Sequence, residues 1–193
     1  MEVPDVYGLH FISGCNKTGG RIGLHNIVRN VVAKELGDLG IGMVDLEPPD
    51  LIREVMPNSG ERPDICLRVV STAASGKPYK VLDVAVVNPF PGTKNGNWGS
   101  MTRREALTSQ KLAKRRVAQK DSVYKIFHEN ADLASKIEFS GIVFETTGGV
   151  EASAERFFRE RARESAAVTG RQVGSIFQNM MRKISAGLQK GSS

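Results

Sequence analysis

Cysteine and long apolar runs are scarce in this sequence of 193 residues, and each absence excludes a class of protein. The two cysteines, Cys15 and Cys66, are too few and too far apart for the disulfide framework of a small secreted domain. No apolar stretch approaches the roughly 18 residues that a membrane-spanning helix needs. The N-terminus carries acidic residues and is unlike a signal peptide. We therefore expect an intracellular protein with no membrane association.

Positive charge is in excess. The chain has 27 lysines and arginines against 21 aspartates and glutamates, which gives a formal net charge of +6. This excess favours a polyanionic partner but does not identify one, because basic residues are also common on ordinary protein surfaces. The hydrophobic fraction of 40% and the charged fraction of 25% are typical of a globular protein. The length fits one domain with appendages.

Hydrophobic periodicity predicts helices and strands in a mixed order. The predicted elements are a helix over 21–39, strands over 42–46, 65–70 and 81–87, a long helix over 101–130, a strand over 139–144, and helices over 152–168 and 171–189. The segment 71–78 has the composition of a hairpin, so its flanking strands are predicted to pair antiparallel. The apolar stripe of the last helix is expected to be core, with a partner-binding face as the alternative. The order indicates an α/β sandwich.

Two aspartates are the candidate chemical groups. Asp64 opens one predicted strand, and Asp83 interrupts the otherwise apolar run 81–87. A carboxylate inside such a strand is costly unless a cation or a strong donor compensates its charge. Antiparallel pairing would bring the two carboxylates together, and two hard oxygen ligands suit Mg²⁺ or Mn²⁺. The alternative is structural: Asp64 caps a turn, and Asp83 pairs with a buried arginine or lysine.

One lysine lies on the core-facing stripe of the predicted long helix. The stripe repeats at four- and three-residue spacing and comprises Ala106, Gln110, Ala113, Val117, Lys120, Tyr124 and Phe127. Lys120 on this stripe needs a carboxylate or phosphate partner, unless it snorkels at the edge. The other basic residues of the helix point to solvent, where they can follow the phosphates of a nucleic acid. They are Lys111, Lys114, Arg115 and Arg116.

Together these motifs resemble the C-terminal restriction-like endonuclease domain that follows the reverse transcriptase in site-specific non-LTR retrotransposons and related retroelements. The matching pieces, in chain order, are His10 to Cys15, Gly19-Gly20, Leu24-His25-Asn26 with Arg29, Glu47-Pro48-Pro49, Arg62-Pro63-Asp64, the strand around Asp83, Lys120 with Tyr124, Phe139, Val143 to Thr146 with Gly148-Gly149, and the helix 184–191. The chain departs from the family at Val123, where a second lysine is expected, and at Leu24, where an arginine is expected.

The resemblance implies a PD-(D/E)XK restriction-endonuclease-like αβ sandwich with extra C-terminal helices, and Mg²⁺- or Mn²⁺-dependent cleavage (nicking) of target DNA. It implies Asp64 and Asp83 as metal ligands and Lys120 as the catalytic lysine, because Ala85 fills the usual lysine position and this subfamily places its lysine on the following helix. Tyr124 is expected to pack beside Lys120 rather than to react. Three further residues are second-rank candidates for the site, namely Glu47, His25 and Glu145. The respective alternatives are that Glu47 ends a strand, that His25 lies on a helix surface and that Glu145 is a partner within a turn.

By the same resemblance, residues 1–20 are the remnant of a zinc knuckle, residues 21–150 the endonuclease core and residues 151–193 a C-terminal helical extension. His10 and Cys15 are not expected to bind zinc without the first two cysteines of the knuckle. DNA is the expected partner, with a reverse transcriptase domain or element RNA as further partners, and the nucleus is the expected compartment for a eukaryotic retroelement. Two alternatives stay open: a catalytically inactive nucleic-acid-binding module of the same fold, and a nuclease like the archaeal Holliday-junction resolvases.

Overall fold

The computed structural model describes residues 20–48, 62–70, 77–87 and 110–191. The elements, in chain order, are helix α1 (Gly20–Gly37), strands β1 (Gly42–Leu46), β2 (Ile65–Val69) and β3 (Tyr79–Val87), helices α2 (Lys111–Val123), α3 (Ile126–Glu129) and α4 (Ala131–Lys136), strand β4 (Ile137–Glu145), and helices α5 (Ala152–Thr169) and α6 (Val173–Gly191). The predicted α/β class is confirmed in these parts of the chain.

The four described strands form one mixed sheet in the order β1-β2-β3-β4. β1 pairs antiparallel with β2, and β2 pairs antiparallel with β3, with Ile65 opposite Leu82. The predicted antiparallel pairing of the second and third strands is therefore confirmed. β3 and β4 run parallel, and Asp83 lies opposite Gly141. Parallel neighbours need a crossover connection, and α2, α3 and α4 lie within it.

Helices cover both faces of the sheet. The strand residues that share a core with α1, α5 and α6 are Ile65, Leu67, Leu82, Val84, Ile142 and Phe144. The strand residues that pack with α2 and α3 on the other face are Cys66, Val81, Ala85, Phe139 and Val143. Because side chains alternate between the faces of a strand, Asp83 belongs to the face that α2 covers.

Helix α1 is held by the sheet and by α6. Ile27 is exposed, and the buried face of the helix is formed by Leu24, Val28, Val32 and Leu36. At Gly187 of α6, a Cβ atom would lie 3.1 Å from Val31 Cγ2, so the two helices approach closely. Lys183 Nζ of α6 lies 2.9 Å from the buried Glu35 Oε1 of α1. The apolar stripe of α6 is core, as predicted, at Ile176, Met180, Ile184 and Leu188.

The bounds of the predicted long helix are wrong. Gln110 has a left-handed backbone (φ 46°) immediately before α2, and α2 ends at Val123 rather than at Asn130. Residues 101–109 lie outside the described residues. The Asn130 side chain accepts hydrogen bonds from two backbone N–H groups at the start of α4. Such a cap satisfies N–H groups that open a new helix, so it favours separate short helices over one continuous helix.

Strands β3 and β4 begin two residues earlier than the periodicity predicts. Lys80 of β3 is fully buried, and its Nζ lies 2.6 Å from Glu138 Oε2 of β4. The periodicity of apolar residues does not reveal a buried ion pair, because a charged residue in the sequence is interpreted as the end of a strand.

Among the helices described, none combines the length and the apolar character needed to cross a membrane.

Candidate active site

Asp64, which directly precedes β2, and Asp83 of the neighbouring strand β3 are the two acids of the candidate site. The Asp64 backbone N–H donates to Leu82 O at 2.9 Å, which places Asp64 beside the residue that follows Leu82. The two carboxyl groups are close enough for the charge of Asp64 to raise the pKa of Asp83. Both residues are buried. The expectation that strand pairing brings these two carboxyl groups together is confirmed.

The Asp64 carboxylate has two further contacts, one with a side chain and one with a backbone N–H group. His25 Nε2 of α1 lies 3.1 Å from Oδ1, and the backbone N–H of Val84 donates to Oδ2 at 2.7 Å. Burial opposes ionisation of Asp64, but His25 and the hydrogen bonds from Asp83 and Val84 outweigh it, so the pKa of Asp64 is lowered. Asp64 therefore loses its proton at a lower pH than an ordinary aspartate.

The Asp83 carboxylate contacts Lys120 of α2. Lys120 Nζ lies 2.6 Å from Asp83 Oδ2, and the side chains are only 13% and 4% exposed. Burial raises the pKa of Asp83 to about 6, and the charge of Asp64 adds to the rise, although Lys120 opposes it. The expectation that Lys120 has a carboxylate partner is confirmed. Two neighbouring carboxyl groups beside one ammonium still favour a proton or a further cation.

Gly141 allows Lys120 to reach Asp83. It lies opposite Asp83 on β4, and a Cβ atom there would be 3.2 Å from Lys120 Cβ and 3.7 Å from Val117 Cα. The backbone of α2 therefore packs directly on β4 beside the site. The sequence reasoning missed this residue, although an isolated glycine inside a strand pattern is a known indicator of close backbone approach.

The other basic residues of α2 face solvent. The exposed residues are Lys111, Lys114, Arg115 and Arg116, whereas Ala113 of the same helix is buried. This arrangement agrees with the helical geometry expected from their spacing. One helix therefore presents a lysine to the buried carboxylates and a row of cations to solvent.

Glu47 and His25 are near the site in different ways. The Glu47 backbone N–H donates to Asp64 O at 2.9 Å, so β1 ends beside Asp64. The Glu47 carboxylate is 52% exposed and pairs with Arg29 of α1. Its backbone is left-handed (φ 47°), which is uncommon for a residue other than glycine. His25 and Arg29 are one turn apart on α1. This helix therefore supplies one side chain to Asp64 and another to Glu47.

Glu145 is not brought to the two aspartates. It ends β4 four residues after Gly141, which is roughly 13 Å along the strand. Its carboxylate is buried, its Oε2 accepts from Thr147 Oγ1 at 3.5 Å, and burial raises its pKa. A Cβ atom at Gly149 would lie 2.5 Å from that Oε2. Glu145 therefore belongs to the turn that closes β4.

Tyr124 packs in an aromatic cluster beside the turn that carries Lys120. It is fully buried, and its ring centroid lies 4.7 Å from that of Phe139 and 5.9 Å from that of Phe127. This packing agrees with the expectation that Tyr124 has a structural role.

Within the described part of the chain, no group of three or more histidine, cysteine or acidic side chains forms a metal site. A metal at Asp64 and Asp83 would have two protein carboxylates, with its other positions open to water and phosphate oxygens. His10 and Cys15 lie outside the described residues. No protein-family model matches the chain, and no curated protein matches it significantly.

Proposed function

We propose that this chain is a divalent-metal-dependent DNA endonuclease with a PD-(D/E)XK restriction-endonuclease-like αβ sandwich, related to the nuclease domains of non-LTR retroelements. The observation that carries the proposal is the buried ion pair of Asp83 with Lys120, beside the Asp64 carboxylate that accepts from the Val84 N–H. Metal-dependent hydrolysis of a phosphodiester needs oxygen ligands for the metal and positive charge near the phosphate. These three side chains supply both.

Asp64 and Asp83 would hold the metal ion. Carboxylate oxygens are the ligands that Mg²⁺ and Mn²⁺ prefer. Burial raises the pKa of Asp83 to about 6 and the charge of Asp64 adds to the rise, and a divalent ion at the pair would oppose both effects. The chemistry that a bound ion supplies is polarisation of a phosphoryl oxygen and a lower pKa for bound water.

The protein side chains have distinct roles in this proposal. His25 and the Val84 N–H keep Asp64 ionised and oriented. The Lys120 ammonium stabilises the negative charge that develops on the phosphate as water adds to phosphorus and one P–O ester bond breaks. The exposed cations of α2 contact DNA phosphates, which gives affinity that depends on salt and little on sequence.

Cleavage of supercoiled plasmid in Mg²⁺, in Mn²⁺ and in EDTA tests the proposal. We expect nicking that EDTA abolishes, and a loss of at least about a hundredfold in the single-turnover rate of Lys120→Ala at saturating enzyme. Lys114→Ala on the same helix should weaken DNA binding modestly and leave the chemical step intact. Undiminished cleavage in EDTA, or a normal rate for folded Lys120→Ala, would contradict the proposal.

A non-catalytic nucleic-acid-binding module is the second candidate. It is favoured by one observation: Lys120 pairs with Asp83 and His25 with Asp64, so both acids have protein partners without a metal. In this case the ion pairs only hold α1 and α2 on the sheet. Wild-type protein that binds DNA but never cleaves it in Mg²⁺ or Mn²⁺ would support this candidate.

A further inference from the structure

Three of the four carboxylate oxygens of the candidate site contact protein groups. Asp64 Oδ1 contacts His25 Nε2, and Asp64 Oδ2 accepts from the Val84 N–H. Asp83 Oδ2 accepts from Lys120 Nζ at 2.6 Å. A divalent ion that binds Asp83 at Oδ2 therefore meets the Lys120 ammonium at that oxygen.

The three partners differ in how easily they can leave. The Val84 N–H is part of the backbone of β3 and cannot move without the strand. His25 is carried by α1, which packs on both the sheet and α6. Lys120 reaches Asp83 through a flexible four-carbon chain that ends in a strongly hydrated ammonium. The His25 side chain is 31% exposed and that of Lys120 13%, so the long flexible chain, and not exposure, distinguishes Lys120.

We propose that the Lys120 ammonium occupies the cation position at Asp83 until a divalent ion binds, and that the ion displaces it from Asp83 toward the DNA phosphate. The inference rests on the proposed metal-dependent function. One position can serve lysine and ion in turn because both neutralise the same carboxylate. Lys120 consequently competes with the metal for Asp83 before cleavage, and it stabilises negative charge on the phosphate during cleavage.

This dual role predicts opposite effects from one substitution. Lys120→Met removes the charge and keeps most of the aliphatic chain, so the ion no longer has to displace an ammonium or bind beside it. We expect Mn²⁺ affinity to rise by about tenfold or more, as a coupling between two like-charged occupants of one site implies. Cleavage should fall at the same time. A residue that only shapes the site would lose metal affinity and cleavage together.

Calorimetric titration of DNA-free protein with Mn²⁺ at pH 8 measures the affinity directly. The matched control is Lys125→Met, because Lys125 is exposed in the turn after α2 and pairs with Glu129 rather than with the site. Lys120→Gln is a second variant that keeps a hydrogen-bond donor for Asp83 without a charge. Lys120→Gln should also bind Mn²⁺ more tightly than wild type. If Lys120→Met does not fold, this variant still allows the affinity to be compared with that of wild type.

The possible results separate this inference from the proposed function. Tighter binding in the Lys120 variants, with Lys125→Met unchanged, supports displacement, as does binding that appears only once the charge is removed. Equal or weaker binding in the Lys120 variants, where wild type binds Mn²⁺, overturns displacement and leaves the metal site in place. If none of the proteins binds Mn²⁺, the inference and the metal-dependent function are both overturned.

Discussion

Replacement of Gly141 with alanine tests whether the spacing between α2 and β4 sets the geometry of the site. The new Cβ would lie 3.2 Å from Lys120 Cβ and 3.7 Å from Val117 Cα. Carbon atoms pack best at about 3.5–4.0 Å, so Lys120 Cβ must move by a few tenths of an ångström, whereas Val117 Cα lies at an ordinary contact distance. Because a Cβ atom is bonded to the helix backbone, the turn of α2 that carries Lys120 has to shift.

The shift should affect the reaction more than the stability. Overpacking a core costs about 1–3 kcal/mol, and a single methyl group should lie at the lower end of that range. The catalytic effect follows from the 2.6 Å contact between Lys120 Nζ and Asp83 Oδ2. A displacement of about 1 Å can cost about a hundredfold in rate, so a few tenths of an ångström should cost about three- to tenfold.

The assay is single-turnover cleavage of plasmid in Mg²⁺ at saturating enzyme, together with thermal unfolding of the same protein. Gly174→Ala in α6 is the matched control, because no atom lies within 4 Å of its Cβ position. This control should keep the wild-type rate, and its unfolding free energy should change by less than about 1 kcal/mol. A wild-type rate in folded Gly141→Ala would refute the idea that close packing of α2 positions Lys120.

Three further predictions concern charge. Mg²⁺ or Mn²⁺ should raise the melting temperature of wild type but not of Asp83→Ala, since the ion neutralises the paired carboxyl groups; an equal rise in both proteins would place the ion elsewhere. In EDTA, stability should fall as the pH rises from about 4 to 6, because folded Asp83 keeps its proton to a pKa of about 6 and the unfolded residue does not. Urea midpoints should show this fall relative to Asp83→Asn, and parallel profiles for the two proteins would contradict it. Charge reversal at Lys114, Arg115 and Arg116 should weaken DNA binding and flatten its salt dependence while the metal-induced rise in melting temperature persists; unchanged affinity would exclude this surface as the DNA contact.

Asp83 and Lys120 could be predicted from the sequence as interacting charged residues because each breaks a local pattern. Asp83 interrupts an apolar strand, and Lys120 interrupts an apolar helical stripe. A charge at a core position requires a partner, so the two anomalies predict each other. The position of Asp64 followed from the hairpin composition, since antiparallel pairing of β2 and β3 fixes which residues meet.

The remaining features depend on contacts between distant parts of the chain. The importance of Gly141 appears only when α2 lies on β4, and the pairing of Arg29 with Glu47 appears only when α1 lies beside the end of β1. The burial of Lys80 depends on Glu138 in a neighbouring strand. Periodicity within one segment contains no information about such partners, because it describes which side of an element is apolar and not what covers it.

The packing of α1 on α6 has a consequence for when the candidate site can form during synthesis of the chain. Glu35 and Lys183 are about 150 residues apart in sequence, so their contact is among the most non-local in the described structure. Translation at about 5–20 residues per second separates the synthesis of these two helices by roughly 8 to 30 s. During that interval the helix that carries His25 lacks one of its two supports. A nascent or prematurely terminated chain that lacks α6 would hold Asp64 poorly, so the proposed activity toward DNA should begin only after α6 has been made and has docked.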